Sequence, residues 1–274
     1  MAESVAVIVP TYNAAATIAA CLGSVQAQTR PADELIVVDG GSGDGTAEIA
    51  REQGARVITS QANRSAQRNA GAQAASSHYL LFIDADMVLD PGVIAECLAA
   101  FRSEHAAVVI PEVSVGTTFL ARVKAFERSF YQGVWWMEAA RWFRRSQFLQ
   151  IGGYDTQLLG GEDWDLDERI RKFGGVGRVK SLIRHQEGIL RLTALREKKA
   201  HYGKALLVYV RLHPERARRQ LGMISRIFIF LRHPLHLFRH PVLTAGLAYM
   251  GWQEVRAVRA GEESDNPWAE ERAL

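Results

Sequence analysis

Two carboxylates end an apolar run in the stretch LLFIDADMV, where Leu80 to Ile83 lead directly into Asp84 and Asp86. Carboxylate oxygens suit hard cations such as Mg²⁺ and Mn²⁺, which in turn bridge phosphate oxygens. A short Asp-x-Asp pair is also common in a polar turn that follows a core strand. The pair therefore predicts either a metal–phosphate site or a simple turn, and other polar clusters must decide between them.

Two further acidic clusters lie beside glycines. VVDGGSGDGT leaves Asp39 at the end of a β-branched run, before glycines that permit close backbone approach to a ligand. A carboxylate there could accept a hydrogen bond from a nucleobase or a ribose; the structural alternative is a turn with a helix N-cap at Ser42 or Asp44. In GGEDWDL, Glu162 and Asp163 could cap a helix or include a general base beside a substrate hydroxyl.

The segments that must position these acids alternate between strand and helix patterns. Strand-like runs VAVIV, ending at Pro10, ELIVVDGG, ARVITS and YLLFIDAD are separated by amphipathic stretches, and further on AAVVIPEV and VGRVKSLIRHQE predict two more strands, the last ending in His185. This alternation predicts βαβ units and a mostly parallel α/β sheet flanked by helices. Because ligands bind at the carboxyl ends of such strands, Pro10-Thr11-Tyr12, Asp39 and Asp84-Ala85-Asp86 are expected to share one cleft.

Composition narrows the class of protein. The chain has 274 residues, 48% hydrophobic and 23% charged, typical of a globular protein with an ample core. Its two cysteines, Cys21 and Cys97, lack metal-type spacing and indicate a reducing compartment. The start MAESV has no basic region, so no signal peptide is expected, and no apolar run is long enough to predict a transmembrane helix.

Charge is unevenly distributed along the chain. Residues 174–260 carry 17 Lys+Arg against 4 Asp+Glu, although the net charge of the whole chain is only +3. Prolines 234 and 241 divide this helical region into short segments. Two interpretations stay open: a helical cap with a solvated basic face, or a surface lying on an anionic membrane. Insertion is expected from Phe228, Phe230, Leu237 and Trp252, and attraction from Arg216, Arg218 and Arg219. No nucleic-acid-binding motif accompanies the charge, so nucleic acid is not an expected partner.

Three stretches together resemble glycosyltransferase family 2, which has the GT-A fold. They are VPTYNAAATIAACLGSVQAQTRPADELIVVDGGSGDGT, QRNAGAQAASSHYLLFIDADM and IGGYDTQLLGGEDWDLDERIRKFG, and the resemblance covers residues 4–186. It implies inverting transfer from a nucleotide-sugar donor, UDP-sugar favoured over GDP-sugar, with Mn²⁺ or Mg²⁺ as cofactor. It also implies a hydroxyl acceptor, for which a lipid-linked acceptor and a cell-envelope glycan precursor are candidates. The expected location is the cytoplasm, peripherally on the inner face of the cell membrane.

The resemblance assigns roles to residues and segments. Seven residues would contact the nucleotide-sugar: Pro10, Thr11, Tyr12, Asp39, Arg68, Asp84 and Ala85. The metal ligands would be Asp86, Asp84 and His185. Asp163 would be the base, with Glu162 beside it in the acceptor pocket, and Asn69 would order its own helix. The family often has a second acid where this chain has Gly40, which places a side-chain contact there in question. The predicted catalytic domain is 1–189, with a nucleotide-sugar half to about residue 90 and an acceptor half from 91; 190–260 is the basic helical extension and 261–274 a polar tail.

Two other classes of function are compatible with an acidic cleft on an α/β sheet. A sugar-phosphate nucleotidyltransferase also uses a metal there, but its glycine-rich signature is absent from this chain. A non-catalytic carbohydrate-binding or scaffold protein would have no reason to carry Asp39, Asp84, Asp86 and Asp163 together. Release of pyrophosphate would indicate the first class, and an absence of donor hydrolysis the second.

Overall fold

The computed structural model describes residues 3–61, 63–101, 104–190, 206 and 208–264. Its strands in chain order are β1 (Val5–Thr11), β2 (Glu34–Asp39), β3 (Arg56–Thr59), β4 (Tyr79–Phe82), β5 (Met87–Leu89), β6 (His105–Val109), β7 (Glu112–Val115), β8 (Trp142–Arg144), β9 (Gly175–Arg178) and β10 (Ile183–Gln186). Its helices are α1 (Ile18–Gln26), α2 (Thr46–Glu52), α3 (Arg64–Ala74), α4 (Val93–Ala100), α5 (Phe119–Ser129), α6 (Arg145–Gln150), α7 (Glu162–Ile170), α8 (Pro214–Leu221), α9 (Met223–Leu231), α10 (Pro234–Arg239) and α11 (Pro241–Ser264).

A seven-stranded sheet in the order β3-β2-β1-β4-β8-β6-β9 forms the centre of the first part of the chain. The pairs among β3, β2, β1 and β4 and the pair β6–β9 are parallel, and only β8 runs against its neighbours. The predicted mostly parallel α/β sheet is thus confirmed. All seven residues of β1 are buried, as expected for a strand covered by helices on both faces.

The helix α3 lies very close to the centre of this sheet because Gly71 has no side chain. A Cβ atom placed on Gly71 would lie 2.4 Å from Cγ2 of Ile8 on β1 and 3.1 Å from Cγ2 of Val38 on β2. Gln67, one turn earlier, donates from Nε2 to the carbonyl oxygens of Thr11 and Val38. The helix is therefore fixed against the carboxyl ends of two strands, which places the next residue, Arg68, at the same edge.

A second, three-stranded sheet in the order β5-β10-β7 was not predicted. The run expected to form one last strand is divided between β9 and β10, and His185 lies inside β10, one residue before its end. The run AAVVIPEV likewise divides into β6 and β7, with Pro111 between them. A proline lacks the amide hydrogen that a continued ladder needs, so the chain can leave one sheet there and enter the other.

Two predicted element ends differ from the structure. β1 does not stop at Pro10 but continues to Thr11, because its parallel pairing with β2 extends to Thr11 opposite Asp39. Neither Ser42 nor Asp44 is the N-cap of α2; Gly45, in the left-handed conformation, precedes its first residue. Instead, Oδ1 of Asp44 accepts a hydrogen bond from the amide of Thr46, and Ser42 bonds to Asp39.

The chain forms two compact units. The first comprises residues 1–115 and 131–186 and contains both sheets; the second comprises 116–130 and 187–274 and contains α5 and the helices from α8 onward. The predicted boundary at residue 189 remains a prediction, as do the functions assigned to each segment. Within the described residues, no helix combines the length and the apolar content that crossing a bilayer requires.

The second unit corrects part of the sequence-based picture of the basic region. Arg216 is only 7% exposed, so it does not belong to an open basic surface. Phe230 is partly buried, and its ring centroid lies 5.2 Å from that of Phe130 on α5. Leu237 is also partly buried, whereas Phe228 and Trp252 are exposed as expected. Residues 191–205 and 265–274, which include much of the predicted tail, lie outside the described residues.

Candidate functional site

The loop after β2 uses Asp39 to fix its own turn. The two carboxylate oxygens of Asp39 accept hydrogen bonds from the amide of Gly41 (3.0 Å), the amide of Ser42 (2.9 Å) and the hydroxyl of Ser42 (2.5 Å). Asp39 is buried and lies opposite Thr11 in the β1–β2 register. Its carboxylate is thus held rigidly at the carboxyl edge of the sheet, next to the end of β1.

The loop after β1 is bonded to the same turn through Asn13, a residue that the sequence analysis missed. Oδ1 of Asn13 accepts from the amide of Gly43 (3.0 Å), and its amide donates to Oγ of Ser42 (2.8 Å). Asn13 has a positive φ of 49°, a conformation that asparagine tolerates better than most residues. Beside it, the Thr11 hydroxyl is buried without a hydrogen-bond partner among the described residues, while Tyr12 is 57% exposed.

A fully buried arginine joins two of the predicted acidic clusters. Arg68 is 0% exposed; its Nη2 lies 2.7 Å from Oδ1 of Asp84, and its Nη1 lies 2.8 Å from Oδ1 of Asp163. Nη1 is also 3.6 Å from Oε1 of Glu162, and the guanidinium lies 4.9 Å from the ring centroid of Tyr154. A guanidinium offers five N–H donors within one plane that point in several directions, which suits simultaneous pairing with two carboxylates. Arg68 thus holds together the acids that follow β4 and those that begin α7.

These contacts shift the pKa values of Asp84, Asp163 and Glu162 in different directions. Burial opposes ionisation of Asp84, but Arg68 and Arg141 outweigh it and hold the pKa of Asp84 well below its usual range. The pKa of Asp163 is likewise lowered, because Arg68 and Arg141 overcome the effect of burial. Burial and the charge of Asp163 raise the pKa of Glu162. At neutral pH Asp163 is therefore ionised, and its side chain is more exposed than that of Glu162.

Two further arginines complete the charge balance, and the sequence offered no signal for either. Nη2 of Arg141 lies 3.6 Å from Oδ2 of Asp84, and Nε of Arg141 hydrogen bonds to Glu112. Arg64, one turn before Arg68 on α3, forms an ion pair with Glu162. Arg141 immediately precedes β8, so its place beside Asp84 depends on an antiparallel pairing that local sequence does not reveal.

The start of α7 differs from a capped helix. Its N-cap residue is Gly161, in the left-handed conformation, which has no side chain to cap the helix. Both acids instead face the arginines. Asn69, expected to order its own helix, bonds through its side chain to both the amide and the carbonyl of Tyr154, which ties α3 to the glycine loop before α7.

Asp86 and His185 meet through the small sheet. β10 runs antiparallel to β5, with His185 opposite Met87, and the amide of Gln186 donates to the carbonyl of Asp86 (2.8 Å). Nε2 of His185 lies 3.0 Å from Oδ2 of Asp86. Oδ1 of Asp86 is shielded from solvent and has no hydrogen-bond partner among the described residues. An oxygen of this kind beside an imidazole fits a divalent cation.

The donor set is incomplete without a ligand. No group of three or more His, Cys, Asp or Glu in the described parts of the chain is placed to hold a metal by itself. Asp84, the third predicted ligand, has Oδ1 hydrogen bonded to Arg68 and Oδ2 near Arg141. Asp86 and His185 therefore fit a cation that takes its remaining ligands from a bound diphosphate or from water.

The predicted site residues divide into groups that the structure places in one unit. Pro10, Thr11, Tyr12 and Asp39 lie at the ends of β1 and β2, and Asp84, the buried Ala85 and Asp86 follow β4. Arg68 links Asp84 to Asp163 and Glu162. His185 contacts Asp86. Acids and a buried arginine thus gather at the carboxyl ends of a mostly parallel sheet, which is where α/β proteins bind their ligands.

The particular family follows from comparison with known proteins. The chain matches Glycosyl transferase family 2 over residues 6–155, more than half its length, and it belongs to this family of glycosyltransferases. The PGL/p-HBAD biosynthesis glycosyltransferase of Mycobacterium bovis (strain BCG / Pasteur 1173P2) is 34% identical over 176 residues, which cover 60% of this chain and 68% of that protein.

Solved structures show the same fold. Mannosyltransferase PcManGT from Pyrobaculum calidifontis, in complex with GDP-Man and Mn²⁺, has a TM-score of 0.60 at 18% identity, over 96% of this chain and 87% of that one. S. aureus TarS 1-349 in complex with UDP-GlcNAc has a TM-score of 0.54 at 17% identity, over 96% and 91%. This chain spans 55% of a longer TarS chain. At these identities the likeness concerns the fold alone.

Proposed function

We propose that this glycosyltransferase moves a sugar from a nucleotide-diphosphate sugar to a hydroxyl acceptor with inversion at the anomeric carbon. The observation that carries the proposal is the position of Arg68, which binds Asp84 and Asp163 at once. Asp84 belongs to the end of the donor half of the sheet, and Asp163 begins a helix of the following half. The buried guanidinium of Arg68 thus holds Asp84, on the donor side, and Asp163, on the acceptor side, at a defined separation.

On the donor side, the loops after β1 and β2 would hold the nucleoside. The unpartnered Thr11 hydroxyl and the exposed Tyr12 ring support contact with a ligand at this edge. Asp39 would accept a base N–H, which requires its carboxylate to remain oriented by Gly41 and Ser42. UDP-sugar is the favoured donor and GDP-sugar the alternative; the TarS structure binds UDP-GlcNAc and the PcManGT structure GDP-Man.

Asp86 and His185 would hold Mn²⁺ or Mg²⁺ together with the donor diphosphate. When bound, the cation would offset the negative charge that the departing nucleoside diphosphate acquires. The Mn²⁺ in the PcManGT complex supports a divalent cation in this fold. Asp84, paired with Arg68 and near Arg141, would orient the neighbouring chain and the donor rather than serve as a principal metal ligand.

Asp163 would act as the general base. It is ionised at neutral pH because Arg68 and Arg141, against the effect of burial, lower its pKa, and its side chain retains 29% exposure toward the cleft. The acceptor hydroxyl would transfer its proton to Asp163 as its oxygen bonds to the anomeric carbon, while the bond from that carbon to the diphosphate breaks on the opposite face. A single displacement of this kind inverts the configuration.

For the acceptor we propose a lipid-linked hydroxyl or a cell-envelope glycan precursor, with the enzyme peripheral on the inner face of the cell membrane. Two observations support that choice: the mycobacterial relative is a PGL/p-HBAD biosynthesis glycosyltransferase, and the second unit of this chain is basic.

Donor turnover and one variant pair test the proposal. Full-length protein with Mn²⁺ is expected to release nucleoside diphosphate from UDP- or GDP-sugars when acceptor is present. Asp163→Asn should lower kcat about 10²-fold or more, the range for a general base, while leaving donor affinity unchanged. Glu168→Gln, an exposed acid on the same helix, is the matched control. Pyrophosphate release from a nucleoside triphosphate and a sugar 1-phosphate would indicate a nucleotidyltransferase instead. No donor consumption would indicate a binding protein, and near-normal turnover in Asp163→Asn would reassign the base.

A further inference from the structure

The helix α9 is amphipathic in an unusual sense, because its apolar side faces solvent. Ile224, Ile227, Phe228 and Leu231 recur at helical spacing and are 50–71% exposed. The short helix α10 adds Leu235 and Phe238, which are 68% and 80% exposed. We call these six side chains the outward face: Ile224, Ile227, Phe228, Leu231, Leu235 and Phe238.

The opposite side of α9 packs within its own unit and carries the charge. Arg226 is half-buried, and its Nη2 lies 3.3 Å from Oε1 of Glu127 on α5. Ile229 is 1% exposed, and the Phe230 ring packs edge-on against Phe130. A helix in water normally turns only one apolar side inward and its charged side chains outward, whereas α9 has apolar side chains on both sides. The orientation of α9 is fixed by the Arg226–Glu127 pair, so the outward face is a built feature of this unit.

Charge around the outward face has one sign. From Arg216 to Gln253 the sequence contains six arginines and three histidines but no aspartate or glutamate. Arg232 and His233, between α9 and α10, are exposed, as are Arg239 and His240 after Phe238. An exposed apolar strip bordered by cations and lacking acids complements a surface that is apolar inside and negatively charged outside.

We infer that the outward face lies in the interface of an anionic lipid bilayer, with α9 and α10 parallel to the membrane plane. The inserted residues differ from those that sequence alone suggested, since Phe230 and Leu237 are turned inward and Arg216 is buried. Phe228 and Phe238 provide apolar insertion, and Arg232 and Arg239 contact lipid phosphates. The inference extends the proposed function by naming the surface through which the enzyme reaches a lipid-linked acceptor.

Sedimentation of the full-length protein with vesicles tests the inference without any sugar donor. We expect binding to phosphatidylcholine vesicles that contain phosphatidylglycerol, with a remainder that resists added salt. Ile227→Glu/Phe228→Glu should lower the ratio of bound to free protein about tenfold or more, the scale for withdrawing two large apolar side chains. Leu149→Glu/Leu159→Glu, which replaces two exposed leucines of the first unit and adds the same charge, is the matched control and should bind like wild type.

The charge contribution has its own variant. Arg232→Glu/Arg239→Glu should lower binding to phosphatidylglycerol vesicles about tenfold at low salt, and the deficit should shrink as salt screens the attraction. Arg51→Glu/Arg56→Glu, which replaces two exposed arginines of the first unit, controls for the same change in net charge. Circular dichroism verifies that each variant is folded.

Two results would overturn the inference: no vesicle binding by wild type at low salt, or equal binding by wild type and Ile227→Glu/Phe228→Glu. Analytical ultracentrifugation covers the competing occupant, since a wild-type dimer that this variant converts to monomer would make the outward face an interface between two copies. Asp86→Ala should keep normal vesicle binding, so failure of the membrane inference and failure of the proposed transferase chemistry are separate outcomes.

Discussion

Replacing Arg68 with methionine should destabilise the protein far more than a surface substitution does. Methionine keeps much of the apolar volume but removes the only side chain seen to hydrogen bond with both Asp84 and Asp163 among the described residues. Removing one partner of a buried ion pair costs about 3–5 kcal/mol. Because Asp84 and Asp163 retain 19% and 29% side-chain exposure, water compensates in part, and we expect a loss near 3 kcal/mol at pH 7.

The pH dependence of that loss identifies its origin. In wild type the pKa of Asp84 and of Asp163 is lowered, so their contribution to stability is complete above the ordinary carboxylate pKa and is lost as the pH falls through the lowered values. In Arg68→Met the same carboxylates are buried with less compensation, which raises their pKa and lets protonation relieve the strain at a higher pH. The stability difference between the two proteins should therefore be largest near pH 7 and should narrow as the pH falls through 4.

Urea unfolding followed by tryptophan fluorescence at pH 7 and pH 4 measures both effects. Arg51→Met is the control, because Arg51 is exposed and makes a single surface pair with Glu48, so its loss should change stability by less than about 0.5 kcal/mol. A loss below about 1 kcal/mol at pH 7 for Arg68→Met, or a loss that is equal at both pH values, would refute the interpretation of Arg68 as a charge bridge.

Two further variants test the metal position and the packing. Asp86→Ala should lower the calorimetric affinity for donor in the presence of Mn²⁺ at least tenfold while leaving affinity in EDTA unchanged, because the orphaned Oδ1 beside His185 is lost; equal Mn²⁺-dependent affinity in both proteins would remove Asp86 from the metal site. Gly71→Ala should lower the unfolding free energy by about 1–3 kcal/mol, since the new methyl would lie 2.4 Å from Ile8 Cγ2. Gly23→Ala, where no atom lies within 4 Å, should instead stabilise α1 by about 0.5–1 kcal/mol; similar effects at the two glycines would show that α3 can shift away from the sheet.

The sequence predicted the fold well because its signals are local. The strand ending in Asp39 and the glycines after it determine a βα turn, and the apolar run before Asp84 determines a buried strand. The edge at which these residues meet follows from the parallel sheet, so the shared position of Thr11 and Asp39 could be expected. The order of the motifs predicted the family, and the resemblance to that family predicted the role of Asp163 as the base. That role stays a prediction.

What the sequence could not reveal are contacts between distant segments. Arg68 resembles any arginine on an amphipathic helix, and its pairing with Asp163 spans 95 residues. The placement of Arg141 depends on β8 entering the sheet between β4 and β6 in the opposite direction, a topology that a three-residue strand does not encode locally. Which apolar residues of α9 face solvent was also not predictable, because the pattern of a helix shows apolar residues but not which of them the protein covers.

The small sheet determines when the site can assemble as the protein is synthesised. β10 is the middle strand, with β5 on one side and β7 on the other. These two strands therefore lack their shared partner until Ile183 and the residues after it have been synthesised. His185 lies 99 residues after Asp86 in the chain, so the two side chains cannot meet until those residues have been synthesised. At a ribosomal rate of about 5–20 residues per second, this delay lasts roughly 5–20 seconds. During that interval β1 to β4 can already pair, whereas the contact between Asp86 and His185 cannot form until β10 has been synthesised.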